Sequence, residues 1–291
     1  MRRIIGIVLA TLGAFLVTAA VVALVYAPGA AKKTPLDVDT TTIVKGEGGK
    51  VDPATGELDI QPVIAASVTK ADSERSSDDV VVFTSFSCAV FGTGPDVPCI
   101  KDGDDPRTLT ISQDVFATDR KTGLAVPTQF EKVAHEGLMN KWPFDAQKKT
   151  YPYWDGVTQQ AVDATFDRTE NIRGLETYVY KVDIVDAPIQ IADGVDGAYS
   201  DAKEIAIDPV TGAIIRQSEQ QSRKLDSGTT VLDLELNFTD EQIATNVRDA
   251  QDNGSSLSLL TSTVPLFGFL LGLPLLAGGL FLLLAGRRRE S

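Results

Sequence analysis

The chain has 291 residues, 43% of them hydrophobic, and its 40 acidic against 27 basic side chains give a net charge of −13. Setting aside the five terminal arginines and Glu290 leaves 39 acidic against 22 basic residues, a net of −17 for the middle. That sign excludes a nucleic-acid partner and a domain lying flat on an anionic leaflet, and leaves solvation, divalent cations or a basic partner for the acidic surface to serve.

In chain order, the first element is an apolar segment from Ile4 to Tyr26 with no charged side chain, preceded by Arg2 and Arg3. Its counterpart at the other end runs uncharged from Leu257 to Ala285 and is followed by Arg287, Arg288 and Arg289. Roughly 20 helical residues cross the hydrocarbon core, so either segment is long enough to span. The bias of Lys and Arg toward the cytoplasm places both termini inside and the loop between them outside. The reading is therefore residues 1–3 cytoplasmic, 4–26 an uncleaved transmembrane anchor, 27–256 an extracytoplasmic β-rich domain, 257–285 a second transmembrane helix and 286–291 a cytoplasmic Arg-rich tail. A cleaved signal peptide is the alternative for the first segment, since Ala27-Pro28-Gly29-Ala30 is small, but the apolar run exceeds a signal core. The second segment with its Arg tail also resembles the end of a sortase substrate, yet no Leu-Pro-x-Thr-Gly precedes it. Gly268 and Gly272 are spaced to let this helix pack closely on a partner, with Ala10 and Ala14 as counterparts in the first.

Lys32 to Asp37 reads as an extended juxtamembrane linker, and Gly46, Gly48 and Gly49 as a short linker. The middle then reads as β structure. Val80 to Phe86, Thr108 to Ile111, Thr177 to Val185, Glu204 to Ile207, Ala213 to Gln217 and Thr230 to Phe238 are rich in β-branched or aromatic residues. Asp52-Pro53-Ala54-Thr55-Gly56, Asp119-Arg120-Lys121-Thr122-Gly123 and Asp208-Pro209-Val210-Thr211-Gly212 are near-identical turns, in which Asp caps the turn and Gly takes a positive φ. Thr239 with Gln242 resembles a capping box, predicting a helix from Thr239 to Asp249 that Asn253-Gly254-Ser255 breaks. The fold class expected is mainly β (α+β), an extracytoplasmic domain between two terminal transmembrane α-helices.

Cys88 and Cys99 are the two cysteines, separated by Gly92, Gly94, Pro95 and Pro98. An outside compartment favours a disulfide between them across a hairpin or its turn. With two Cys and one His, His135, at no ligand spacing, no metal site is implied, and no cofactor either.

Both tryptophans fall between Gly137 and Asp155, with Pro143 and Pro152 interleaved. Trp142, Phe144, Tyr151, Tyr153 and Trp154 are the candidate ligand contacts, for an acyl chain or a sugar, because each offers a flat apolar face and Tyr or Trp a polar handle. The same five residues are equally readable as the core of a β domain or as a band at the lipid headgroups.

This stretch also carries a family resemblance. Gly137-Leu138, Trp142-Pro143-Phe144-Asp145 and Thr150-Tyr151-Pro152-Tyr153-Trp154-Asp155, followed by Gly174-Leu175-Glu176-Thr177-Tyr178, resemble the central signature of an actinobacterial family labelled the porin PorA family. The resemblance covers nearly the whole chain, including the Asp208 turn and both terminal helices. It implies a two-helix envelope membrane protein of mycobacteria, corynebacteria and their relatives, linked to maturation of lipoglycan or cell-wall lipid. It transfers no catalytic residue.

The porin label sits poorly with the pattern itself, because an outer-membrane barrel needs strands of about 9 to 11 residues with an apolar outward face, and the β runs read here are short and acidic. A channel component would require oligomerisation. An envelope glycan-processing enzyme is a further alternative, with Glu136 and Asp155 as a nominal acid and base. No Gly-x-Ser-x-Gly or phosphate-cradling loop is present, and catalysis through histidine would rest on His135 alone. The expectation is a non-enzymatic, membrane-anchored domain that binds or presents an envelope lipid or lipoglycan, or scaffolds the envelope-biosynthesis proteins that process it.

Overall fold

The computed structural model describes residues 1–52, 55–94 and 107–287. The chain divides into two compact units, Met1–Lys33 with Asp252–Ser291, and Thr34–Gln251.

The larger unit is one antiparallel sheet of ten strands, β1 (Asp39–Val51), β2 (Leu58–Asp72), β3 (Val80–Phe91), β4 (Thr108–Asp119), β5 (Tyr151–Asp155), β6 (Gln160–Ile172), β7 (Leu175–Ala192), β8 (Val195–Ile207), β9 (Ile214–Leu225) and β10 (Thr230–Phe238). Their order is β4-β3-β2-β1-β10-β9-β8-β7-β6-β5. Two meanders, β1 to β4 and β5 to β10, are thus fused where β1 pairs with β10, Val44 opposite Phe238 and Gly48 opposite Leu234. The sheet curls into a half-barrel, so the unit is mainly β as expected.

The six strands read from the sequence all exist, and most run further than expected. β7 extends over 18 residues and β3, β4 and β9 over 12 each. The objection that the β runs are too short for a porin therefore fails. β1, β2, β5 and β6 escaped notice, and Gly46, Gly48 and Gly49 lie inside β1 rather than in a linker. They are strand residues because β1 is paired along its length by β2 on one side and from Val44 to Lys50 by β10 on the other, and neighbour pairing overrides a weak local preference.

The three expected turns form. The Asp119 carboxylate accepts the N–H groups of Lys121 at 2.9 Å and Thr122 at 2.7 Å, and the Gly123 N–H returns to the Asp119 carbonyl at 2.9 Å. Burial pushes the Asp119 carboxyl up, but these bonds, the Thr122 hydroxyl and the Lys121 charge together outweigh it and hold the group below the usual range. Asp208 repeats the arrangement between β8 and β9, with Gly212 at φ +77°. Asp52 closes the β1–β2 hairpin through Gly56, while Pro53 and Ala54 lie outside the described residues. Asp155-Gly156-Val157-Thr158-Gln159 is a fourth turn of this kind, its carboxylate accepting from Val157 and Thr158, with Gln159 taking φ +53° where the others carry Gly.

The long β4–β5 connection ties the two edge strands together. Val126 N–H donates to Ala117 (2.9 Å), Ala125 to Gly137 (2.7 Å), Leu138 to Pro152 (2.7 Å) and Trp154 back to Leu138 (2.9 Å). Short strand-like pieces thus carry the ladder from β4 to β5, which removes part of two exposed edges.

Helix α2 (Asp240–Ser258) starts where expected, with the Gln242 N–H on the Thr239 hydroxyl at 3.1 Å. The Gln242 side chain leaves the capping box incomplete and accepts the N–H of Ile43 instead. Ile243, Val247 and Ala250 of its first turns cover Val179, Ala206 and Ile215 of the sheet, which explains why β7 is buried on both faces there. Asn253-Gly254-Ser255 does not break α2. The helix runs on through a five-residue π segment, Leu259–Thr263, into α3 (Val264–Arg287).

In the smaller unit α1 (Arg2–Ala31) pairs with α3. Gly13 lies against the backbone of Leu276 and Gly279 against that of Ala10, so any side chain at either glycine would collide with main chain. Small residues do mediate the packing as expected, but in a different register. Ala10 meets Gly279, and Gly268 meets Ala20 instead of Ala14. Large apolar side chains such as Ile4, Val8, Phe15, Leu270 and Phe281 are exposed, which suits contact with lipid. Both helices are long and apolar enough to cross a membrane.

Candidate functional site

Lys141 to Ala146 runs between two of the Asp turns. Trp142 N–H donates to Gly212 (2.8 Å) and Ala146 N–H to Pro209 (2.8 Å), while Phe144 N–H reaches Lys121 at 3.4 Å. Gly212 is required here twice over, by its positive φ and because a Cβ would overlap the Trp142 carbonyl oxygen.

This clamp drives Trp142 into the curl of the sheet, where it is fully buried, 5.6 Å from the Tyr153 ring and 5.2 Å from that of Tyr180. Tyr151 is buried beside it and accepts the Gln147 N–H at 2.8 Å. Of the five aromatic candidates, Trp142, Tyr151 and Tyr153 form the main core cluster with Leu138, Tyr180 and Tyr199. Phe144 lies half-buried under the Lys141 ammonium, 3.6 Å from the ring, and burial pushes the Lys141 pKa down to about 7. Trp154 packs edge-on against His135 at 4.8 Å. His135 is itself buried, bonded to Asp114 at 2.9 Å and Glu131 at 3.2 Å, and so fastens the β4–β5 connection to β4.

None of the five lines a groove of about 1270 Å³ along the inner face of the sheet. One wall comes from β8 and β9, with Tyr199, Lys203, Gln217, Glu219, Gln221 and Arg223, joined by Asp155 of the β5–β6 turn. The facing wall comes from β10 and from β1 to β4, with Leu234, Leu236, Phe238, Val44, Ala65 and Ala89 among hydroxyls such as Thr42, Ser67 and Thr110. Register produces this division. Lys203 stands opposite Glu219 and that opposite Leu236, while Asp201 stands opposite Gln221 and that opposite Leu234. A charged strip and a leucine strip therefore lie side by side along the sheet.

Lys203 is the centre of the charged wall. Its side chain is 10% exposed and its ammonium meets Asp201, Asp155 at 3.5 Å and Glu219 at 3.6 Å. Burial alone would depress this ammonium, but Glu219 and Asp201 outweigh it and hold the pKa well above the ordinary lysine range. Burial pushes Asp201 up to about 6, with Lys203 opposing. The Tyr199 hydroxyl stands 3.2 Å from Asp155 and 3.1 Å from Asp201, and burial raises its pKa as well. Lys203 thus fills the position among three carboxylates that a bound cation would take. Asp155 is committed to this network and to its own turn, whereas Glu136 is exposed, so the nominal acid and base are not brought into one site.

Cys88 is buried on β3, and Cys99 lies outside the described residues. The groove went unseen in the sequence because both faces of β9 are polar, Ser218, Gln220 and Ser222 alternating with Gln217, Glu219, Gln221 and Arg223. The one usable signal was the block Tyr199-Ser200-Asp201-Ala202-Lys203, in which one face carries charge and the other small residues.

Among known families, the model described as Porin PorA matches residues 5–281, nearly the whole chain. No curated protein matches it.

Proposed function

The chain belongs to the porin PorA family, and from that premise and the two-walled groove we propose that it is a membrane-anchored, non-enzymatic receptor for an amphiphile of the cell envelope, a lipid or lipoglycan. At the coarser level it is a membrane-associated, porin-like protein, a β half-barrel with an apolar helix at each end.

The groove carries the proposal. Its volume of about 1270 Å³ exceeds the ~300–1,000 Å³ common for small-molecule sites, which suits a chain-bearing ligand. Its leucine wall offers apolar area to an acyl chain and its charged wall offers hydrogen bonds to a headgroup. In this reading both termini are cytoplasmic, the sheet is extracytoplasmic, and the domain meets its ligand at the membrane surface because both ends are anchored. Presentation of that ligand to envelope-biosynthesis proteins follows from the same geometry.

Native mass spectrometry of the full chain, extracted in mild detergent, tests this. Wild type is expected to carry an amphiphile-sized adduct, and Ala89→Trp, which fills the groove, to lose it. A wild-type chain free of adduct, or an adduct indifferent to Ala89→Trp, would refute the receptor reading.

A further inference from the structure

The unsatisfied polar atoms of the groove define its headgroup. Gln221 is 8% exposed and lines the groove. Its amide nitrogen donates to Glu219 at 3.2 Å, which fixes the amide orientation and leaves Oε1 as an acceptor with no partner among the described residues. Two residues along the same face of β9, the Arg223 Nε–H is a buried donor without a partner among the described residues. Asn140 Oδ1, from the β4–β5 connection, is a second buried acceptor without a partner among the described residues, and Asn140 also lines the groove. Buried polar atoms are nearly always paired, so donors and acceptors left open together call for a ligand group that does both.

We infer that the charged wall binds an uncharged, polyhydroxylated headgroup, so that the amphiphile is sugar-headed rather than phosphate-headed. This deepens the receptor reading above and rests on it. A hydroxyl donates and accepts, and so answers Gln221, Asn140 and Arg223 alike. A fully ionised phosphate only accepts. It would satisfy Arg223, leave both amide oxygens open, and face Asp155 and Glu219, while Asp201 behind them already engages Lys203. An ammonium headgroup would serve the amide oxygens but leave the Arg223 donor open beside a like charge.

The test uses two photolabels with the same diazirine-bearing octyl chain, one headed by glucose and one by phosphate, added to the full chain in phosphatidylcholine nanodiscs. Adducts are mapped by tandem mass spectrometry. The glucoside is expected to label β10 and β1 at about tenfold lower concentration than the phosphate, the scale of one or two well-placed hydrogen bonds. Gln221→Leu and Arg223→Met are expected to bring the two labels within about twofold, with chain labelling retained. Thermal melting by circular dichroism checks that the variants fold, and if they do not, the wild-type comparison decides alone. Equal or stronger labelling by the phosphate, or a glucoside preference that survives both substitutions in folded protein, overturns the headgroup inference while leaving the receptor reading standing. Absence of groove labelling by either probe defeats the receptor reading itself, and the headgroup inference with it.

Discussion

Replacing Lys203 by methionine keeps roughly the length of the side chain and removes the ammonium that Asp155, Asp201 and Glu219 share. The site is 10% exposed on the lysine side and less on Asp155 and Asp201, so little water is at hand to take over. Stranding one side of a buried ion network costs about 3–5 kcal/mol, and for a domain of this size that lowers the melting temperature by about 10 °C. The pH dependence identifies the cause. Asp201 already has a folded-state pKa raised to about 6 by burial, so its contribution to stability is present when it is protonated and is lost as pH rises from the ordinary carboxylate value through about 6. Without Lys203 the Asp201 carboxyl moves further up, and the deficit of Lys203→Met against wild type is greatest near pH 8 and shrinks below about pH 5. Far-UV circular dichroism melts of the full chain in detergent, at both pH values, measure this. A deficit below about 1 kcal/mol, or one equal at the two pH values, would refute the electrostatic account of the charged wall.

Gly212→Ala is expected to destabilise by about 3 kcal/mol or more, since it adds strain at φ +77° to a collision with the Trp142 carbonyl. Gly174→Ala, at φ +90° but in open space, is expected to cost about 1 kcal/mol, and tryptophan fluorescence should shift to the red only in the first. Peptide mapping of the mature protein without reductant is expected to recover Cys88 joined to Cys99, and reduction to lower stability by about 3 kcal/mol in the loop-entropy model. A free Cys88 thiol in that sample would contradict the outside compartment. A reporter fused after Ser291 is expected to be active in the cytoplasm, and one inserted at Gly228, in the tight β9–β10 turn, outside it. The opposite result would overturn the inference from the terminal arginines.

What the sequence reveals and conceals follows from where each signal is stored. The Asp119 and Asp208 turns are legible because one residue caps the turn with its own side chain and the glycine four positions on supplies the positive φ. The Asp155 turn hides because Gln159 stands where that glycine would be. β10 is legible to its ends, bounded by the Gly228 turn and the Thr239 cap. β1 is not, because its Thr, Gly and Lys residues are made into a strand by two neighbours distant in sequence. Asn253-Gly254-Ser255 misleads for a related reason, since a helix anchored at both ends carries through residues that alone would end it. The aromatic segment attracts notice at once, yet its density serves equally for a core or for a ligand, and the main-chain clamp that buries Trp142 comes from turns on either side of it. The groove depends on which face of β8 and β9 turns inward, and a strand polar on both faces does not say.

The claim that the groove holds an envelope amphiphile is met most directly by a benzoylphenylalanine photocrosslinker in place of Leu236, on the leucine wall, irradiated in intact cells. Asn237, the adjacent exposed residue of β10, serves as the control position. Mass spectrometry of the purified chain is expected to find a lipid or glycolipid adduct at position 236 and none at 237. Equal adducts at both positions, or protein crosslinks alone at 236, would contradict the account.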